Sequence, residues 1–221
     1  MSEPIVIAID GPSGSGKSTV ARAVAKDLGW SYLDTGSMYR AMTWYIQDLG
    51  IPLTAVEEIV VAAANAQILP STDPVLPGIH VGETDVSDAI RGPEVTSGVS
   101  AVSAIPAIRA ELVGLQRKIA SQAGTGIVLE GRDIGSVVMP NAHLKLFITA
   151  NAKTRAQRRA TEVGADVTET QVSILQRDQA DSTRATSPLE MAPDAILIDT
   201  TEMQLGDVID RVLTLIKDID D

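Results

Sequence analysis

IVIAIDGPSGSGKST, the stretch from Ile5 to Thr19, combines three features in a fixed order. The run Ile5–Asp10 is apolar and rich in β-branched residues, which predicts a buried strand. The next residues, Gly11–Ser18, match the pattern G-x-x-x-x-G-K-[ST] in full, and the segment Ser18–Leu28 has helical character and ends before Gly29. A strand, a glycine-rich loop and a helix in this order predict a P-loop that holds the phosphates of a nucleoside triphosphate.

Each part of this loop suits phosphate binding. Glycines let backbone N–H groups surround a β-phosphate, and the N-terminus of the following helix favours negative charge. Lys17 is expected to reach the β- and γ-phosphates, and the Ser18 hydroxyl to ligate Mg²⁺. For Thr19, which points elsewhere on the helix, ordinary packing is the favoured interpretation. The candidate ATP-binding residues are Gly11, Pro12, Ser13, Gly14, Ser15, Gly16, Lys17, Ser18 and Thr19.

The remainder of the chain alternates strands with helices. This alternation predicts an α/β fold, with a five-stranded parallel sheet covered by helices on both faces. A segment rich in proline and glycine, Leu69–Gly92, surrounds a short extended piece at Ile79–Val81 and is interpreted as an insertion with a small antiparallel element. The predicted core strands are Ile5–Asp10, Trp30–Leu33, Ile127–Glu130, Leu144–Thr149 and Ala195–Asp199.

Composition and charge exclude several classes of partner. The chain of 221 residues has a net charge of −11, which disfavours nucleic acid as the main partner. It contains no cysteine, so disulfides and Cys-ligated zinc are excluded. No apolar run approaches the ~20 residues of a membrane span, and the N-terminal residues lack the features of a signal peptide. We therefore expect a cytoplasmic protein that binds neither nucleic acid nor membranes.

A second motif, LDTGSMYR from Leu33 to Arg40, follows the second predicted strand. The guanine-binding motif N-K-x-D of GTPases does not occur, which leaves a compact kinase with a small acceptor substrate. Arg40, one helical turn into the next helix, could pair with an acceptor phosphate. Alternatively, Asp34 or Thr35 caps the helix and Arg40 is solvated; this segment alone favours neither interpretation.

At this point the chain resembles a known family. GPSGSGKST and LDTGSMYR, followed by SAVSAIPAIR (Ser100–Arg109), EGRDIGSVV (Glu130–Val138) and RDQADSTRATSPL (Arg177–Leu189), are similar to the motifs of bacterial cytidylate (CMP/dCMP) kinases, in the nucleoside monophosphate kinase group of P-loop kinases. The motifs occur in the family's order and span nearly the whole chain. The resemblance implies Mg²⁺-dependent phosphoryl transfer from ATP to CMP and dCMP by a monomer.

The resemblance also implies roles for individual residues. Arginines matching Arg40, Arg132 and Arg184 would hold the acceptor phosphate, and Ser100, Arg109 and Asp133 would read cytosine. Asp181 would hold the sugar with help from Arg184, and Thr35 is a further candidate for CMP binding. The candidate catalytic residues are Lys17, Arg132, Arg155, Arg159 and Arg177, whereas no role is assigned to Arg158.

The same resemblance implies a division of the chain into three regions. The core would comprise residues 1–35, 100–150 and 186–221, the monophosphate-binding region residues 36–99 with an insertion at about 69–92, and a helical lid residues 153–184. The carboxylate that orders the waters of Mg²⁺ is left open between Asp34 and Asp133.

Simpler interpretations also remain. Arg132 with Asp133, and Asp181 with Arg184, could be ordinary ion pairs, and Arg155, Arg158 and Arg159 a solvated basic face. Another P-loop small-molecule kinase, or a binding module that uses ATP only as a ligand, are the alternative functions.

Overall fold

The computed structural model describes residues 3–219, which form a five-stranded parallel sheet between two layers of helices. The strands are β1 (Ile5–Asp10), β2 (Ser31–Asp34), β3 (Ile68–Pro70), β4 (Ile79–Val81), β5 (Thr84–Asp85), β6 (Gly126–Gly131), β7 (Leu144–Thr149) and β8 (Ile196–Asp199). The helices are α1 (Lys17–Leu28), α2 (Thr35–Asp48), α3 (Val56–Ala63), α4 (Pro93–Ser103), α5 (Pro106–Ser121), α6 (Ala152–Val163), α7 (Val167–Thr183) and α8 (Leu205–Lys217). The fold predicted from the sequence is confirmed.

The strand order β2-β6-β1-β7-β8 places β1 at the centre of the sheet. Ile7, Ala8 and Ile9 are fully buried, since helices cover both faces of a parallel sheet, and this explains the unbroken apolar run in the sequence. In the register of β1 with β6, Ile9 lies opposite Glu130. The P-loop therefore emerges beside the carboxyl end of β6, at the edge where such sheets place their ligands.

Two hydrophobic clusters hold the layers together. One lies under α2, α4 and α5 and includes Met38, Met42 and Leu112. The other joins α1 and α8 to the opposite face of the sheet, with Val24 and Val212 fully buried. Because α1 is packed against the sheet along its apolar face, the phosphate-binding loop that precedes it is fixed at both ends.

The predicted insertion is a separate antiparallel sheet, with strand order β3-β4-β5. Its loop reaches back to the main sheet, where the Tyr32 N–H donates to the Thr72 carbonyl at 2.9 Å and Arg22 Nε donates to the Pro74 carbonyl at 3.3 Å. The sequence predicts a helix from Val56 to Gln67, and this prediction is wrong at its C-terminal end. The observed α3 stops at Ala63, because Asn65 and Ala66 close turns on Ala62 and Ala63 before β3 begins.

The last two helices before β8 form an antiparallel pair, α6 and α7, across the predicted lid region. Gly164, with φ 67°, ends α6 in the left-handed conformation, and the Asp166 side chain caps α7 by accepting from the N–H groups of Thr168 and Glu169. Within residues 3–219, no single helix is long and apolar enough to cross a membrane; α4 and α5 meet that criterion only as a pair bent by 98°.

Candidate active site

A large cleft of about 900 Å³ opens at the carboxyl edge of the sheet. It is bounded by the P-loop, by α2 and α5 on one side, and by α6 and α7 on the other. The predicted site residues that line it are Ser13, Gly14, Ser15, Gly16, Lys17, Ser18, Thr19, Thr35, Arg40, Arg109, Arg132, Asp133, Arg159, Arg177, Asp181 and Arg184.

The P-loop owes its path to its glycines. Gly14 and Gly16 have φ of 74° and 86°, a region that L-residues rarely adopt. A Cβ at Gly11 would lie 2.0 Å from the carbonyl oxygen of Ile148 on β7, so this position needs glycine for close packing. Gly11 and Pro12 lie behind the cleft wall, where the Pro12 carbonyl accepts from Lys17 Nζ at 3.3 Å. The loop is thus held open toward the cleft.

Glu130, at the end of β6, contacts both functional side chains of the P-loop. Its Oε1 accepts from Ser18 Oγ at 2.6 Å, and its Oε2 lies 3.8 Å from Lys17 Nζ. Burial raises the pKa of Glu130 and lowers the pKa of Lys17, because removal from water disfavours the ionised form of each side chain. Asp34, close enough to raise the pKa of Glu130, adds a second carboxylate. These oxygens suit a hard cation such as Mg²⁺.

The sequence interpretation missed Glu130, although it stands in the motif EGRDIGSVV. From the sequence, the carboxylate that would order the waters of Mg²⁺ is either Asp34 or Asp133. In the structure Asp133 instead pairs with Arg109, and Glu130 is the acidic residue bonded to Ser18. The position of a carboxylate at the end of a strand was visible in the sequence; that β6 is the neighbour of β1 was not.

Four arginines face the P-loop across the cleft. They are Arg40, Arg132, Arg159 and Arg177. Burial first, and then neighbouring arginines, lower the pKa of Arg40 to about 10 and that of Arg177 to about 9. Arg177 Nε is buried and has no hydrogen-bond partner among the described residues. Like charges gathered in this way indicate a site for an anion.

Each of these arginines comes from a different element. Arg40 on α2 donates through Nη1 to the Ile90 carbonyl at 3.1 Å and to Thr96 Oγ1 at 2.9 Å, while Arg132 donates through Nε to Asp181 at 3.0 Å. Arg159 pairs with Glu162 on its own helix. Arg132 therefore does not pair with its sequence neighbour, and Asp181, only 5% exposed, is no surface residue. The interpretation of Arg132 and Asp133 as an ion pair is wrong. Asp181 does lie 3.9 Å from Arg184, but both side chains are largely buried, so this is not a surface pair.

Asp34 does cap α2, because its Oδ1 accepts from the Ser37 N–H at 2.9 Å, and Thr35 Oγ1 donates to the Glu130 carbonyl at 2.8 Å. The capping alternative is correct for Asp34, but Arg40 is not solvated. Asp34 therefore caps the same helix on which Arg40 is bonded to Ile90 and Thr96.

At the far end of the cleft, Asp133 lies between two arginines. Its Oδ2 accepts from Arg109, and its Oδ1 lies 3.8 Å from Arg184 Nη2. Asp133 is 4% exposed and Arg109 is 3% exposed. Arg184 also lies 3.9 Å from Asp181, so the four predicted residues at this end are brought together.

Besides Gly11 and Pro12, two predicted residues, Ser100 and Arg155, do not line the cleft. Ser100 lies on another side of α4, whereas Val99 and Ser103, one helical turn apart, face the cleft. Ser103 was missed, and its carbonyl accepts from Arg109 Nη1 at 3.3 Å. Arg155 lies under the P-loop, donating to Asp178 and to the carbonyls of Ser13 and Ala150. Its guanidinium is already engaged with protein groups.

Arg158, for which the sequence suggested no role, lines the cleft instead of Arg155. Its Nη1 and Nη2 donate to Thr200 Oγ1 at 2.9 Å and to the Thr200 carbonyl at 2.8 Å. A basic face on α6 exists, but it is not simply solvated.

Asp10 ties the P-loop strand to the segment that carries Asp133. Its Oδ1 accepts from the Ile134 N–H at 2.8 Å and its Oδ2 from the Gly135 N–H at 2.7 Å, at the start of a π-helix (Ile134–Val138). Burial nevertheless raises the pKa of Asp10 to about 6. Asp10 therefore links β1, which leads into the P-loop, to the residues that directly follow Asp133.

The raised pKa of Asp10 gives a pH dependence of stability. A group of this kind stabilises the fold fully below its unfolded pKa of 3.8, and the contribution is lost as pH rises through about 6. Between about pH 5 and about pH 7.5, the unaltered protein should therefore lose about 1 kcal/mol more unfolding free energy than Asp10→Asn. Urea titrations at both pH values measure this difference. Asp88→Asn, at an exposed position, is the control; equal losses in all three proteins would contradict the assignment.

The chain is similar to known proteins over nearly its whole length. Residues 7–218 match the family model described as cytidylate kinase. The chain is 51% identical over 215 residues to a cytidylate kinase of Streptomyces avermitilis, covering 97% of this chain and 93% of that protein. It is 46% identical over 222 residues to a cytidylate kinase of Mycolicibacterium paratuberculosis, covering 98% and 97%.

Solved structures with low sequence identity share the fold. A protein from Eubacterium ventriosum has a TM-score of 0.55 at 14% identity, with 98% of this chain and 99% of that chain covered. TT1252 from Thermus thermophilus has a TM-score of 0.51 at 20% identity, with 98% of both chains covered. The shared fold does not identify a family, but the sequence similarity does: the chain belongs to the cytidylate kinase family.

Proposed function

We propose that this protein transfers the γ-phosphoryl group of ATP to the phosphate of CMP or dCMP, giving ADP and CDP or dCDP. The observation that carries the proposal is the group of four arginines opposite Lys17. A triphosphate on the P-loop needs the P-loop lysine and a metal ion, and the additional guanidiniums line the same cleft as Lys17 and Asp133. A second phosphate group, presented from the Asp133 end, accounts for them.

Transfer in such a cleft depends on alignment and charge. The attacking oxygen of a nucleoside monophosphate is already anionic, so no strong general base is required. Lys17, Arg132 and Arg177 would neutralise the negative charge that spreads over the transferring group. Arg40 is positioned by Ile90 and Thr96, and would hold the acceptor phosphate in line with the donor.

A magnesium ion fits beside the P-loop. Ser18 and Glu130 would hold it, because a buried carboxylate with a raised pKa gains most from a nearby cation. When bound, Mg²⁺ would neutralise charge on the phosphates of ATP. The residues of the chain do the rest: Lys17 and the P-loop N–H groups orient the donor.

Asp133 is the group that would select the base. A carboxylate accepts from the N4 amino group of cytosine, whereas uracil presents a carbonyl at that position. Arg109, which pairs with Asp133, and Ser103, whose carbonyl accepts from Arg109, would serve the remaining polar edge. Asp181 and Arg184 would hold the sugar. For Ser100 a role in base binding remains part of the proposal, through movement of α4.

The regional division is also proposed. Residues 36–99 would bind the monophosphate, and residues 153–184 would close as a lid, with Arg155 fixing the P-loop to α7 and Arg159 reaching the phosphates. Lid closure would exclude water, which otherwise competes as acceptor. A monomeric state, a cytoplasmic location and a role in pyrimidine nucleotide metabolism belong to the same proposal.

The test is an acceptor panel. ADP release is measured with CMP, dCMP, UMP, AMP, GMP and shikimate, each with Mg²⁺ and with Mg²⁺ removed by EDTA. We expect rapid turnover with CMP and dCMP, weaker use of UMP, and none without Mg²⁺. Preference for AMP, GMP or shikimate would indicate another small-molecule kinase. Binding of ATP without transfer to any acceptor would indicate a binding module.

A further inference from the structure

Helices α2 and α5 form the wall of the cleft next to Asp133. Arg109, on α5, is the charged residue of this wall that contacts Asp133. The Arg109 guanidinium donates in its own plane to Asp133 and to the Ser103 carbonyl. Neither bond restrains the guanidinium against tilting out of that plane. The group is 3% exposed, so water cannot replace a lost contact easily.

Tyr39 supplies the missing restraint. Its ring centroid lies 5.2 Å from Arg109 Cζ, with the cation over the ring face. Tyr39 is itself 8% exposed and lines the same cleft. A guanidinium is attracted to the negative face of an aromatic ring, and the attraction is stronger when both groups are removed from water.

We propose that Tyr39 is a positioning residue for base selection: its ring face holds the Arg109 guanidinium against Asp133 and thereby favours CMP over UMP. This inference rests on the proposed function and deepens it. The chemistry is direct. While Arg109 is held, Asp133 keeps an acceptor directed into the cleft. Once the guanidinium is released, its N–H groups are free to donate to the O4 carbonyl of uracil, and the preference for cytosine falls.

The Tyr39 hydroxyl has a different environment from the ring. It is buried with no hydrogen-bond partner among the described residues, as are both polar atoms of the nearby Gln116 amide. Burial raises the pKa of the Tyr39 hydroxyl. Gln116 is two turns after Arg109 on the same buried face of α5. The hydroxyl makes no bond to Arg109, so the ring face alone should carry the positioning, and phenylalanine should replace tyrosine.

The experiment compares kcat/KM for CMP with kcat/KM for UMP in Tyr39→Met and Tyr39→Phe. Methionine fills the space with a flexible chain and removes the ring, and we expect the CMP preference to fall about tenfold. Tyr39→Phe should retain most of that preference, and KM for ATP should change little in either variant. Tyr45→Met, half-buried on the same helix but outside the cleft, is the matched control and should keep the selectivity. A purely structural effect would instead raise KM for ATP and lower the thermal stability of both methionine variants.

A second series covers the case in which Tyr39→Met does not fold. Phenylalanines with increasing fluorination at position 39 keep the ring shape and progressively remove the negative charge of its face. The CMP preference should decline along the series. A flat series, or a selective Tyr39→Met, would overturn the role of Tyr39 while leaving the proposed function intact. Equal use of CMP and UMP by the unaltered protein would contradict cytosine reading at Asp133, and this inference with it.

Discussion

Lys17→Ala is expected to lower kcat for transfer from ATP to CMP by about 10³-fold or more. Lys17 is 6% exposed, lies at the N-terminus of α1, and is the cation nearest the buried carboxylate of Glu130. In the proposed reaction its ammonium group would contact the transferring phosphoryl group, where charge changes most during the reaction. Steady-state rates at saturating ATP and CMP measure the loss.

The fold should survive this change. Burial lowers the pKa of Lys17, which means that the protein gains little stability from the charge itself. Lys17→Met, which keeps an unbranched stem without the charge, should lose nearly as much activity as Lys17→Ala and melt close to the unaltered protein. Lys118→Ala, exposed on α5, is the control and should remain active. Near-normal transfer by Lys17→Ala would show that the P-loop assignment is wrong.

The donor end of the cleft was predictable because its signal is local. Ile5–Asp10, the glycine loop and α1 are contiguous, and each element constrains the next within 24 residues of chain. The alternation of strands and helices was sufficient for the five-stranded sheet. The end of α3 was mispredicted, since the turn at Asn65 and Ala66 depends on the antiparallel sheet that follows.

The acceptor end depended on contacts between distant segments. Glu130 meets Ser18 across 112 positions, because β6 lies next to β1, and strand order cannot be read from a motif. Ser103 on α4 and Tyr39 on α2 line the cleft because of the way each helix is rotated about its axis. A rotation that differs by one residue would bring other side chains to the cleft. Arg155 is expected from the sequence at the phosphates and Arg158 is given no role, but in the structure Arg155 donates to the Ser13 carbonyl, and Arg158, which donates to Thr200, is the one that lines the cleft.

Asp133→Ala should reduce kcat/KM for CMP by about 10²-fold or more, with a much smaller effect on KM for ATP, because removing one partner of a buried charge pair leaves the other uncompensated. Arg109 and Arg184 would then face each other without the carboxylate between them. Part of the loss will therefore be in stability, and thermal unfolding of the variant must be measured beside the kinetics. Asp88→Ala, an exposed acidic position outside the cleft, controls for the change in net charge.

Asp133→Asn separates base reading from charge. Its amide can accept from the cytosine amino group through the oxygen, or donate to the uracil carbonyl through the nitrogen, depending on how it is turned. Activity with CMP should fall, activity with UMP should rise, and the ratio of the two values of kcat/KM should approach one. The alanine variant lacks the acceptor for the cytosine amino group and should lose CMP activity, while Arg109, no longer held by Asp133, can donate to the uracil carbonyl, so UMP activity should fall less. If both variants weakened CMP and ATP equally and left the ratio unchanged, Asp133 would be a structural ion-pair partner of Arg109, and the base would have to be selected elsewhere in the cleft.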